Sequence, residues 1–156
     1  MSESNLEDRA AIHDLFTRYC CALDNGEVET VVDCFTGDAI LKSPVIDISG
    51  HDEIRAFASR FAAQCAAGTQ FRHMVSNIAV TITGNRAAAS AYLLVLISKA
   101  ATTVAFRLAA TRASCSKRTA ANGASRAASS FMTTTTRSTG SVAERAGQPA
   151  DDLSCL

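Results

Sequence analysis

Apolar residues recur at three- and four-residue steps from the start of the chain. Ile12, Leu15, Phe16, Tyr19 and Leu23 form one stripe, the spacing of a helix over residues 7–24 with a single buried face. Asn5 is placed to cap that helix, and Asn25-Gly26 to stop it in the left-handed region. Residues 27–34 read as a short second helix with Val28, Val31, Val32 and Phe35 turned inward. Gly37-Asp38 leads into a first strand over 39–42, and Ser49-Gly50 is a further turn. Residues 51–66 read as a third helix with Ile54, Phe57, Phe61 and Cys65 on one side, ended by Gly68. The period then changes from near four to two. Residues 71–83 and 86–98 are strands, joined by Gly84-Asn85 as a tight hairpin turn. Helices followed by antiparallel strands place the chain in the α+β class.

The first long strand has two unlike faces. His73, Val75, Asn77, Ala79 and Thr81 share one, and Met74, Ile78, Val80 and Ile82 the other. The second is the more apolar. The first mixes polar and apolar groups, as the lining of a binding pocket does. Helix 1 is positioned to bring Tyr19 and Asp24 to the mouth of such a pocket. The competing readings are plain: His73 as a strand histidine bonded to backbone, Tyr19 as core packing, Asp24 as a helix-end acid. An acid at a helix C-terminus opposes the helix dipole, so its presence there favours a role.

After Lys99 the pattern fades. Residues 1–99 carry 12 of the 15 acids, whereas 100–156 carry 7 of the 15 basic groups and 3 acids. No Ile, Leu or Val lies between Leu108 and Val142. An Ala/Ser/Thr/Arg-rich segment of this kind buries too little apolar surface to offset the entropy of ordering it. The expected division is therefore 1–99 as the folded domain and 100–156 as a low-complexity segment. A shifted reading frame is the sharper account of that segment. With GC-rich codons, starting one base early converts residues 126–134 into Arg-Arg-Val-Val-Val-His-Asp-Asp, which is strand-like; the gene sequence decides it.

Composition narrows the function. The formal net charge is zero, which argues against nucleic-acid partners and anionic membrane surfaces. No stretch nears the ~20 apolar residues of a membrane span, and the acidic start is no secretory signal, so cytoplasmic residence is expected. Cys20, Cys21, Cys34, Cys65, Cys115 and Cys155 form no C-x-x-C pair, and His13, His51 and His73 stand at no zinc-like spacing from them. Buried free thiols are expected and no metal site.

Together, Ala11-Ile12-x-Asp14-Leu15, Tyr19-x-x-Ala22-Leu23-Asp24, Phe35, Gly50 and His73-x-x-x-Asn77 resemble the SnoaL-like branch of the nuclear-transport-factor-2-like superfamily, from about Leu6 to Ser98. The resemblance implies a cone: a curved antiparallel sheet over three helices, enclosing a deep apolar pocket. It implies a homodimer or homo-oligomer and a hydrophobic, cyclic small-molecule substrate. Dehydratases and dehydrochlorinases of this superfamily use an Asp-His dyad, and Asp24 and His73 stand where those residues would stand. Tyr19 matches a pocket tyrosine, and Phe16, Phe35 and Asn77 are the expected substrate-binding residues. The implied activity is that of a cofactor-independent lyase or isomerase, with His73 as base, Asp24 as its orienter and Tyr19 as a polar anchor. The alternative is a non-catalytic module of the same fold that binds a ligand or dimerises.

Overall fold

The computed structural model describes residues 3–43, 46–100, 102–116, 118–119, 125–126 and 137–138. Helix α1 (Glu3–Asn25) is followed by α2 (Val28–Val32), the strands β1 (Ile40–Ser43) and β2 (Ile46–Ser49), and α3 (Gly50–Ala66). Three long strands come next: β3 (Thr69–Thr83), β4 (Arg86–Lys99) and β5 (Thr102–Ser116). Two-residue pieces, β6 (Arg118–Thr119), β7 (Ser125–Arg126) and β8 (Arg137–Ser138), complete the described strands. The main sheet runs β3-β4-β5-β8, with its three long strands antiparallel, and β1-β2 is a separate hairpin.

One core joins the helices to the sheet. Ile12, Leu15, Phe16, Tyr19 and Leu23 from α1 meet Ile54, Phe57 and Phe61 from α3, and Phe71, Val80, Ala89, Ala91, Val95 and Ile97 from the sheet. The α1 stripe is thus the buried face that its spacing predicts. The helix itself starts earlier than residue 7, at Glu3, so position 5 lies within its first turn and not before it. β2 is missing from the sequence reading; its four residues pair Ile46 with Ser43 and Ile48 with Leu41. The sequence reading also ends the sheet near Ser98, whereas the backbone of β5 pairs with β4 along its length. Ladder hydrogen bonds come from the backbone, so a partner strand can be recruited without the Val/Ile richness that signals strands in a sequence. Residues 101, 117, 120–124, 127–136 and 139–156, and with them most of the low-complexity segment and its shifted-frame reading, lie outside the described residues.

A departure from strict alternation lies inside β3. Ser76 faces Tyr92 and Ala79 faces Ser90, so Asn77 and Ile78 together oppose Ala91. Two residues against one is a β-bulge, and Asn77 adopts φ 54°, the left-handed geometry that Asn tolerates better than most residues. The bulge reverses the inward phase. Phe71 is buried and His73 and Val75 half-buried before it, whereas Ile78, Val80 and Ile82 turn inward after it. Met74 and Asn77 are therefore corrected: both are exposed, and neither lies on the face that the sequence pattern gives it. We expect Asn77→Gly to be tolerated and Asn77→Val to cost about 1–2 kcal/mol from left-handed strain, read as a shift in denaturant midpoint.

At the hairpin, Thr83 pairs with Arg86 across Gly84-Asn85, and Gly84 carries φ 59°. A positive φ at the first of two turn residues suits the right-handed twist of the flanking strands.

β3 is an edge strand of the described sheet, and α1 runs antiparallel along that edge. The Arg9 Nη1 donates to the Val80 carbonyl at 2.8 Å, and the Asp24 carboxylate meets His73. Fifteen residues of helix rise about 22 Å and seven residues of strand about 23 Å. The two elements are therefore matched in length between these contacts, and α1 satisfies two of the backbone groups that an edge strand leaves open, the His73 N–H and the Val80 carbonyl.

Candidate functional site

Asp24 occupies the last turn of α1, and the chain leaves the helix immediately after it. Gly26, at φ 72°, allows the reversal. The Glu27 N–H donates to the Ala22 carbonyl at 2.8 Å and the Gly26 N–H to the Leu23 carbonyl at 3.2 Å, the paired bonds of a Schellman end. A Cβ on Gly26 would stand 3.1 Å from the Ala62 Cα. The end of α1 is thus seated against α3 at a point where only hydrogen fits.

His73 lies in β3 before the bulge, with its side chain 6% exposed, while that of Asp24 is 13% exposed. The His73 Nδ1 is 2.6 Å from the Asp24 Oδ1. The backbone N–H of His73 donates to the same carboxylate, at 3.0 Å to Oδ2 and 3.2 Å to Oδ1. A carboxylate only accepts, so the proton in this contact belongs to Nδ1. In an antiparallel strand the N–H and C=O of one residue point the same way, so His73 turns its peptide groups away from β4. Asp24 therefore does two things at once. It satisfies an edge-strand donor, and it fixes the tautomer and orientation of the imidazole.

Aromatic rings flank this pair. The His73 ring centroid is 5.8 Å from that of Phe61 and 6.4 Å from that of Phe71, and Phe61 and Phe71 are 4.9 Å apart. Phe71 is wholly buried. The Cys65 Sγ, half-buried on the last turn of α3, lies 3.6 Å from the Asp24 carbonyl oxygen and 4.0 Å from that of Leu23.

The other expected site residues divide. Tyr19, Phe16 and Phe35 are buried in the core, and Tyr19 meets Phe35 edge-on with centroids 5.5 Å apart. Burial raises the Tyr19 hydroxyl far above the usual phenol range, with smaller contributions from Cys20 and Cys34, so it stays protonated as a hydrogen-bond donor. Asn77 is not brought to the His73 face, for the reason given by the bulge. His13 is exposed, as its place off the stripe predicts, and the half-buried His51 has its Nε2 3.0 Å from the Phe35 carbonyl oxygen. Among the described cysteines, Cys20 and Cys34 are buried, Cys65 half-buried and Cys21 exposed; Cys21 departs from the buried expectation because it sits off the α1 stripe. Phe61, Phe71 and Cys65 are the neighbours of the dyad that the sequence reading did not select. Phe61 was legible as an inward residue of its helix, but spacing does not say what an inward residue touches.

Burial pushes the Cys20 thiol up to about 12, with Asp24 adding to the effect, and raises Cys34 as well. For a thiol the unfolded chain then loses its proton first. Stability is full below the ordinary value of 9.0 and falls as pH rises through the window to about 12. Each such group steepens the loss by up to about 1.4 kcal/mol per pH unit. Denaturant titrations at pH 8, 9.5 and 11 should show falling stability, and Cys20→Ala should flatten the slope by one group's share.

The sequence profile of the SnoaL-like domain matches residues 4–124. No curated protein matches the chain. Among solved structures, a variant of Rv3472, a Mycobacterium tuberculosis protein of unknown function, is 20% identical with a TM-score of 0.72, covering 90% of this chain and 76% of that one. An NTF2-like protein with a cystatin-like fold from Novosphingobium aromaticivorans is 23% identical with a TM-score of 0.69, covering 85% and 82%. A Catenulispora acidiphila protein in complex with S-DNPA is 23% identical with a TM-score of 0.65, covering 82% and 92%. No helix among the described residues is long and apolar enough to cross a membrane.

Proposed function

Because this chain belongs to the SnoaL-like domain family, a fold of enzymes and ligand-binding domains, we propose that it is a cofactor-independent lyase or isomerase acting on a hydrophobic, cyclic small molecule. The observation that carries this reading is the 2.6 Å contact between the His73 Nδ1 and the Asp24 Oδ1, made by two largely buried side chains from different elements. His73 Nε2 takes a proton from a carbon beside a carbonyl. The electron pair left on that carbon delocalises onto the carbonyl oxygen, and Asp24 balances the charge that appears on the imidazole. In an elimination the pair then expels hydroxide or halide from the neighbouring carbon; in an isomerisation the proton returns elsewhere. Tyr19, protonated and five residues before Asp24 on α1, donates to the carbonyl oxygen. Phe16 and Phe35 line the apolar side. The complex of the Catenulispora relative with S-DNPA supports a small-molecule ligand on this fold.

The test needs no knowledge of the leaving group. A panel of cyclic ketones and β-hydroxy or β-halo carbonyl compounds is incubated with the protein in D2O and followed by NMR. Deuterium entering the acidic carbon faster than in buffer is the expected result. A compound that binds yet exchanges only at the buffer rate, across the panel, overturns the proton-transfer reading.

One observation favours a second reading, that of a non-catalytic module that binds a ligand or dimerises. Met74 is 54% and Tyr92 53% exposed on the outer face of β3 and β4, beside the partly buried Leu94 and Leu96, an apolar surface suited to association. Sedimentation of the wild type and of a Tyr92→Lys variant would show a mass that drops in the variant.

A further inference from the structure

α3 touches both halves of the Asp24–His73 pair from one side. Cys65 lies over the carbonyls of Leu23 and Asp24, at 4.0 and 3.6 Å, and Phe61, one helical turn earlier, faces the His73 ring at 5.8 Å. Residues four apart on a helix share a face. The Schellman end leaves a specific vacancy for Cys65 to fill. Glu27 and Gly26 donate to the carbonyls of Ala22 and Leu23, and the thiol is the donor placed against the next carbonyl, that of Asp24. This contact exists because Gly26 lets the helices approach, its Cβ position being 3.7 Å from the Cys65 Cβ.

We infer that Cys65 is a positioning residue: its thiol, donating to the Asp24 carbonyl, holds the backbone of Asp24 in the place from which the carboxylate reaches the His73 ring. The inference rests on the Asp24–His73 reading above for its catalytic meaning, but its geometric content does not. Cys65 touches no reacting atom. It acts on the acid through the main chain, while Phe61 limits the movement of the imidazole from the same helix face. An S–H donor at this distance makes a weak bond, so the effect expected is graded, not all-or-none.

The experiment follows the Nδ1 proton of His73 by ¹⁵N-edited NMR on the full chain, in wild type, Cys65→Ala and Cys65→Ser. Loss of the thiol should speed exchange of that proton roughly three- to fivefold and move its shift upfield, the size of effect expected of one weak hydrogen bond. Cys65→Ser, which keeps a donor, should recover at least part of the change. With a turned-over compound from the D2O panel in hand, kcat should fall in Cys65→Ala while KM holds. A Nδ1 proton unchanged in Cys65→Ala overturns the inference, even if the variant melts at a lower temperature. So does an equal change in Ala and Ser, which would mean that volume matters and donation does not. Failure of the panel with these NMR responses intact would sink the enzymatic reading and leave the positioning role standing.

Discussion

Replacing His73 with alanine is expected to slow deuterium incorporation into a reactive panel compound by about 10²- to 10⁴-fold, the usual worth of a placed general base. Asp24→Asn should lose a similar factor, because the carboxamide neither fixes the ring proton on Nδ1 as a carboxylate does nor balances an imidazolium. The double variant should be little worse than the poorer single, since the two side chains act as one device. Stability separates them. Asp24 accepts the His73 backbone N–H at 3.0 Å as well as the ring proton. Asp24→Ala therefore strands a backbone donor, at about 1–3 kcal/mol, whereas His73→Ala leaves that bond in place. Retained exchange in both single variants would remove the dyad from the mechanism. A double Asp24→Ala, His73→Ala variant as stable as His73→Ala alone would remove the edge-donor role of Asp24.

Gly26→Val should be among the most damaging substitutions for folding, at about 2–5 kcal/mol. Left-handed φ in a residue with a Cβ contributes about 1–2 kcal/mol, and overpacking a tight contact about 1–3. Both apply here, since Gly26 has φ 72° and its Cβ position lies 3.1 Å from the backbone of Ala62. The loss should appear as a lower urea midpoint with an unchanged slope. Because Asp24 is two residues upstream, the variant should also perturb the Nδ1 proton of His73 under conditions where it remains folded. A Gly26→Ala variant as stable as the wild type would mean that the α1–α3 approach is not the constraint it looks to be.

The sequence announced its turns well, because glycine and asparagine at a positive φ have few substitutes. Asn25-Gly26, Gly68 and Gly84-Asn85 all stand where elements end. The α1 stripe and the inward side of α3 were likewise readable, as each buries one face in a single core. Asp24 and His73 were legible as residue types in suggestive places, and their meeting depends on α1 lying along the edge of β3, which no spacing encodes. The bulge was the hidden feature. Apolar positions Phe71, Val75, Ile78, Val80 and Ile82 are separated by three at one step only, and that step marks the reversal of face. Reading the strand as unbroken put Asn77 on the face of His73, and Met74 on that of Ile78, Val80 and Ile82. β5 escaped for a different reason: beyond Thr102, Thr103, Val104 and Phe106 its residues are mostly Ala, Ser and Arg, and pairing with β4 is what extends them as a strand.

The lodging of α1 side chains against the rim of β3 has a consequence for the behaviour of variants in concentrated solution. A strand with an outward amide and an outward carbonyl already occupied, at His73 and Val80, is a poorer template on that side for a second polypeptide. Disabling the imidazole leaves both contacts intact, whereas disabling the carboxylate frees the His73 amide together with the chemistry. Inactive proteins made by the two routes should differ in how readily they precipitate, with those lacking the acid coming out of solution first.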